Sequence, residues 1–143
     1  MGKKTKLIAE ITYDFHLLGI VSPIKEHQLA WNLNRSGLFC LEKRKDIVIK
    51  FKDLSMMVIS NFVCESEMHH HTLLRNRLVA GNVKTGQLLL PELQQFDFFL
   101  KLMTDVDEFD LDPLISSLKQ IPVIDYLVKL DIEKIKQKEN LLY

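Results

Sequence analysis

Residues 90–130 read LPELQQFDFFLKLMTDVDEFDLDPLISSLKQIPVIDYLVKL, and three elements can be marked off within them. The apolar run at 96–103 predicts a strand. An acidic loop follows at 105–112, and Asp112-Pro113 then opens a helix. Proline is tolerated in a first helical turn, and carboxylates gather where the helix dipole is positive, with Asp112 as the cap. Leu111, Leu114, Ile115 and Leu118 recur at helical spacing and predict the face that packs on a sheet. Ile121-Pro122 ends the helix, and 123–130 predicts a second apolar strand. The unit is strand–helix–strand, of ferredoxin-like type. In its first strand Phe96, Phe98 and Leu100 fall on one face, and Asp97, Phe99 and Lys101 on the other. A carboxylate in so apolar a strand is costly without a partner, and Arg75 or Arg77 would supply one. The tail, 131–143, predicts a short final helix with Leu141, Leu142 and Tyr143 docking as an apolar end.

The N-terminal half predicts the rest of the same sheet. Residues 7–13 alternate, with Leu7, Ala9, Ile11 and Tyr13 on one side, as in a half-buried strand. From Phe15 to Val21 both sides are apolar, which suits a strand covered on both faces. Gly19 there marks a bulge or the close approach of another element. His16 lies in this run and reads as a hydrogen-bonded core residue. Ser22-Pro23 opens a helix, with Ser22 as cap, that runs to about Ser36 and ends at Gly37 in a left-handed cap. Leu29, Ala30 and Leu33 form its sheet-facing stripe. Ile24 and Trp31 point away from that stripe. Packing at the sheet edge is the favoured reading for the indole, and a partner-facing aromatic is the sharper one.

A hairpin follows: Ile47, Ile49 and Phe51, a tight turn at Lys52-Asp53, then a strand over 54–63. Lys43, Arg44, Lys45, Lys50 and Lys52 make up the notable positive cluster. It reads as a solvated edge that discourages edge-to-edge pairing, or as a docking patch for an acidic partner or RNA. Residues 64–71, Cys-Glu-Ser-Glu-Met-His-His-His, hold metal-ligand side chains. Consecutive histidines on a strand alternate faces, however, so His69 and His71 share a side and His70 does not. With Cys64 reachable only across a turn, the expectation is a polar hairpin turn and no metal. The strand 72–80 sends Leu74 and Leu78 inward and Arg75 and Arg77 to the other face. The loop 81–86 has turn composition and lacks the pattern of a phosphate-binding loop.

Bulk composition narrows the function classes. Lysine plus arginine equals aspartate plus glutamate at 19 each, so the chain lacks the basic excess of a nucleic-acid binder. Two cysteines, Cys40 and Cys64, form no CxxC pair and are too few for a disulfide scaffold, which points to the cytoplasm. No run of apolar residues is long enough for a membrane span. The acidic loop at 105–112 lacks the glycine and glutamate of a calcium loop. The 143 residues suit one α+β domain, a mainly antiparallel sheet with two principal helices on one face.

The segment Leu90-Pro91-Glu92, three spacers, Phe96-Asp97-Phe98 resembles the motif after which the bacterial IPExxxVDY proteins are named. Pro91, Glu92 and Asp97 fit that motif, while Leu90, Phe96 and Phe98 depart from it in kind-preserving ways. The likeness extends to YDFHLLGIVS, LAWNLN and KLDIEKIKQKENLLY, and so covers nearly the full length. It implies a bacterial protein and carries no activity with it. No nucleophile motif, zinc-protease motif or dinucleotide fingerprint is present. The expectation is a non-catalytic interaction or regulatory protein without cofactor, acting on a protein partner or on itself. A small-metabolite sensor of the amino-acid-binding type is the first alternative, and contact with RNA or the ribosome the second.

Overall fold

The computed structural model describes residues 15–83, 86–106 and 109–141. The alternating segment at 7–13, Lys84, Thr85, Asp107, Glu108, Leu142 and Tyr143 lie outside them.

A six-stranded antiparallel sheet forms the centre, in the order β2-β5-β6-β8-β1-β9. Its strands are β1 (His16–Val21), β2 (Glu42–Lys43), β5 (Asn61–Glu65), β6 (His69–Arg75), β8 (Phe98–Thr104) and β9 (Tyr126–Leu130). Helices α1 (Glu26–Arg35) and α2 (Asp112–Leu118) pack on one face. The expected strand–helix–strand unit is β8-α2-β9. Both of its strands pair antiparallel with β1, which is inserted between them. That is the split β-α-β arrangement of ferredoxin-like folds.

Period-two alternation divides the sheet's side chains between two cores. Leu18, Ile20, Leu73, Leu100 and Leu102 join Leu29, Ala30 and Leu33 of α1 and Leu118 of α2. Leu17, Leu74 and Phe99 face the other way. They meet Met57 and Ile59 of a second sheet, order β3-β4-β7, formed by β3 (Ile47–Lys50), β4 (Met56–Ile59) and β7 (Ala80–Gly81). Ile135 and Leu141 of the tail complete that core, and the tail forms two 3-10 turns, Ile132–Lys134 and Lys138–Leu141. The buried Lys101 ammonium pins it by donating to the Leu141 carbonyl at 2.6 Å.

Several expectations are corrected here. The strand read over 54–63 is two strands, β4 and β5, which join different sheets across Ser60. The Ser60 carbonyl accepts from the Arg75 amide and its hydroxyl donates to Glu26 Oε1, so this residue is tied to both neighbours where the chain changes sheets. Ser22 does not cap α1. The N-cap position is Lys25, and Ser22 Oγ instead donates to the Val123 carbonyl at 2.6 Å. Asp112 is the first residue of α2, and its amide is met by the Asp110 carboxylate at 3.1 Å. Phe96 precedes β8 and packs in the second core beside Phe99, on the face opposite Phe98. Trp31 is 59% exposed on the outer side of α1, with the Arg35 guanidinium 5.2 Å from its ring, so the packed reading fails. Gly37 does end α1 at φ +84°, and Gly19 does mark a close approach: a Cβ there would lie 2.7 Å from the Phe96 ring.

Candidate functional site

The motif residues come together at one end of the sheet, and most of them hold loops in place. Pro91 starts a 3-10 turn, Pro91–Leu93. Glu92 Oε1 accepts from the amides of Lys136 and Gln137 and so fixes the tail. Asp97 Oδ2 accepts from the Ser22 amide at 2.9 Å, tying the start of β8 to the end of β1. Asp97 is exposed and forms no ion pair with Arg75 or Arg77 among the described residues; the burial that would demand one does not occur. Leu90, Phe96 and Phe98 are buried.

The residue that sequence reading passed over is Asn76. It is 1% exposed and sits between the motif and β6. Its Nδ2 donates to the carbonyls of Leu93 (3.1 Å) and Phe96 (2.9 Å), and its Oδ1 accepts from the Leu90 amide (3.0 Å). One amide therefore satisfies both ends of the motif turn. Its signal in sequence is slight: a lone asparagine between two arginines, in a segment that reads as strand over 72–80 but leaves β6 after Arg75.

These struts form one wall of an open cleft of about 1140 Å³. The segment from Ser22 to His27, which runs into the first turn of α1, also lines it, as do Phe62, Phe96 and Phe98. Arg75 and Arg77 line it, both exposed. Neither makes an ion pair or side-chain hydrogen bond among the described residues. Lys25 and Lys43 also line it, as do Glu26, Asp97 and Asp125. Two of those acids are already engaged: Asp97 with the Ser22 amide and Glu26, through Oε1, with Ser60. Glu26 Oε2 is buried and has no hydrogen-bond partner among the described residues. Burial pushes the Glu26 carboxyl above its ordinary pKa, against the opposing pull of the Ser60 hydroxyl, Lys43 and Arg75.

The basic cluster read from sequence is dispersed. Lys43 pairs with Asp46 at 3.1 Å and stands over the Phe62 ring, and Arg44 pairs with Glu65 at 2.8 Å. Lys45 is exposed beside them, whereas Lys50 and Lys52 lie at the far tip of the β3–β4 hairpin. Only Lys43 of the five reaches the cleft.

A second, smaller hollow of about 390 Å³ lies under α2, lined by Phe39, Cys64, His69, His71, Phe109 and Asp110 among others. Burial lowers the His71 pKa to about 4, helped by the neighbouring His69 and His70. Among the described residues no three His, Cys, Asp or Glu side chains are already gathered about one point where an ion would sit. No described helix is long and apolar enough to cross a membrane. Comparison with protein-family models, with curated proteins and with solved structures returns no match.

Proposed function

We propose that this chain is a non-catalytic binding module of the IPExxxVDY type whose cleft takes an acidic segment of a partner protein. The observation that carries this reading is the pair Arg75 and Arg77. Two guanidinium groups line one concave surface that Phe62, Phe96 and Phe98 also line, with no carboxylate paired to them among the described residues. Guanidinium groups bind carboxylates in bidentate geometry, and the rings offer apolar surface to the side chains between them. At about 1140 Å³ the cleft is larger than most small-ligand pockets and open along one side, which suits an extended peptide. Dimerisation through a bare sheet face loses its motive, because both faces of the large sheet are covered. A chain that works by binding needs no base or nucleophile, and two of the cleft's acids, Asp97 and Glu26, accept hydrogen bonds from the Ser22 amide and the Ser60 hydroxyl.

The metabolite-sensing reading rests on a different atom. Glu26 Oε2, buried and unpartnered at the cleft wall, suits a ligand that brings its own hydrogen-bond donor. An RNA-binding reading draws less support, since two members of the basic cluster are paired with acids of the chain.

Selection of a displayed peptide library on the full chain tests the proposal. Enriched sequences should combine Asp or Glu with aromatic or large aliphatic residues. They should bind several-fold more weakly as salt rises from low to physiological levels, and lose at least tenfold in affinity against Arg75→Glu/Arg77→Glu. No enrichment, or peptides that bind the double variant equally well, would contradict it. A melting-temperature rise with an amino acid or related metabolite, abolished in Glu26→Gln, would favour the alternative.

A further inference from the structure

We propose that His69, His71 and Cys64 form a site for a borderline-soft divalent cation of the zinc kind, in the hollow under α2. The inference is independent of the cleft. It starts from strand register. His69 and His71 are two apart on β6 and share a face, and Cys64 on β5 lies directly opposite His71. All three line the same hollow. His70 alternates to the other side, where its Nδ1 stands 3.4 Å from Glu65 Oε2.

The second observation is a deficit. His71 is 7% exposed, and the Nδ1 atoms of both His69 and His71 are buried without a hydrogen-bond partner among the described residues. Two orphaned ring nitrogens in adjacent imidazoles are unusual, because buried polar atoms are nearly always satisfied. A divalent cation bonds to imidazole nitrogen at about 2.0–2.1 Å and would satisfy both atoms at once.

The ring separation agrees with such an ion. A metal about 2.1 Å from a ring nitrogen lies roughly 3.2 Å from the ring centre, and two such rings at a tetrahedral angle have centres about 5.2 Å apart. The His69 and His71 ring centroids are 5.2 Å apart. Cys64 supplies the soft donor. Its Sγ accepts a hydrogen bond from the Cys40 amide at 3.3 Å. Coordination releases the thiol proton to solvent. Side-chain rotation of Cys64 and His69 is needed to bring the three donors to one point, and the hollow provides the room. Asp110 lines it too, its Oδ1 accepting from the Asp112 amide at 3.1 Å, and either its carboxylate or a water would supply the fourth ligand.

Cobalt(II) titration of the metal-free, reduced full chain tests the site. One equivalent should bind, with a sulfur-to-cobalt absorption band and the intense visible bands of tetrahedral cobalt, and zinc(II) should displace it. Cys64→Ser should remove the sulfur band. His69→Gln, at a half-buried position, should weaken binding at least tenfold, and so should His71→Ala if it folds. His70→Ala should change nothing. A wild-type chain that takes up less than stoichiometric cobalt would overturn the proposal. So would binding that survives Cys64→Ser/His69→Gln, or that falls with His70→Ala, since the histidine run would then be acting as an exposed tag.

Discussion

At the residue scale, the chain's acids at the motif act on backbone amides. Asp97 receives the Ser22 amide and Glu92 the amides of Lys136 and Gln137. Asp97→Ala removes one such charge-assisted bond at an exposed site and should cost about 1–2 kcal/mol in urea unfolding, with Asp97→Asn recovering part of it. If Asp97 is only a strut, the same variant keeps its affinity for the acidic peptides selected on the wild type. Asn76→Ala should cost more, about 3 kcal/mol, because two carbonyls and one amide lose their partner inside the protein. A loss no greater than that of Asp97→Ala would remove Asn76 from its central place. His71 gives a pH signature in the metal-free chain. Its pKa falls from 6.5 unfolded to about 4 folded, so between those values the unfolded state binds the extra proton. Stability is therefore fully present above pH 6.5 and lost as pH falls toward 4, by on the order of 2–3 kcal/mol. His71→Asn should flatten that part of the stability profile, and an unchanged slope would contradict the assignment.

At the element scale, β1 has the tightest steric constraint. Phe96 fills the space above Gly19, and a methyl group there would meet the ring at 2.7 Å. Gly19→Ala should cost about 1–3 kcal/mol by thermal or urea melting, and a neutral effect would mean that Phe96 moves freely aside. The tail makes a comparable claim, since Ile135 and Leu141 are buried in the second core. Much of this was legible in the sequence. The strand–helix–strand unit, the α1 stripe Leu29-Ala30-Leu33 and the doubly buried β1 follow from apolar periodicity, which local sequence displays. The break at Ser60 was not legible, because MMVISNFVC is continuous in strand character and the switch of sheets depends on contacts from Glu26 and β6. Caps were misplaced for a similar reason. Ser22 has cap chemistry, but Val123 and Asp97, distant in sequence, claim its hydroxyl and its amide. Of the cleft, Arg75, Arg77, Lys43, Ser22, Ile24 and the motif residues Phe96, Asp97 and Phe98 are named by sequence alone. Asn76 is ordinary until its three partners are seen.

At the scale of the whole molecule, the fold gathers Lys25, Lys43, Arg75 and Arg77 around one concave surface, against the acids Glu26, Asp97 and Asp125. The net charge of zero does not show this arrangement, since the balance of 19 against 19 is struck over the entire chain while Arg75 and Arg77, unpaired among the described residues, line one cleft. Covering both faces of the large sheet directs recognition to the sheet's end, where β1, β6 and β8 meet the start of α1. Hydrogen–deuterium exchange of the full chain, with and without a saturating selected peptide, locates that recognition directly. The account predicts added protection over 22–27, 75–77 and 94–98, with none at the hairpin tip 50–55 or along the outer side of α1 at Trp31. Protection centred on Trp31 or the hairpin lysines, with 75–77 unchanged, would contradict it.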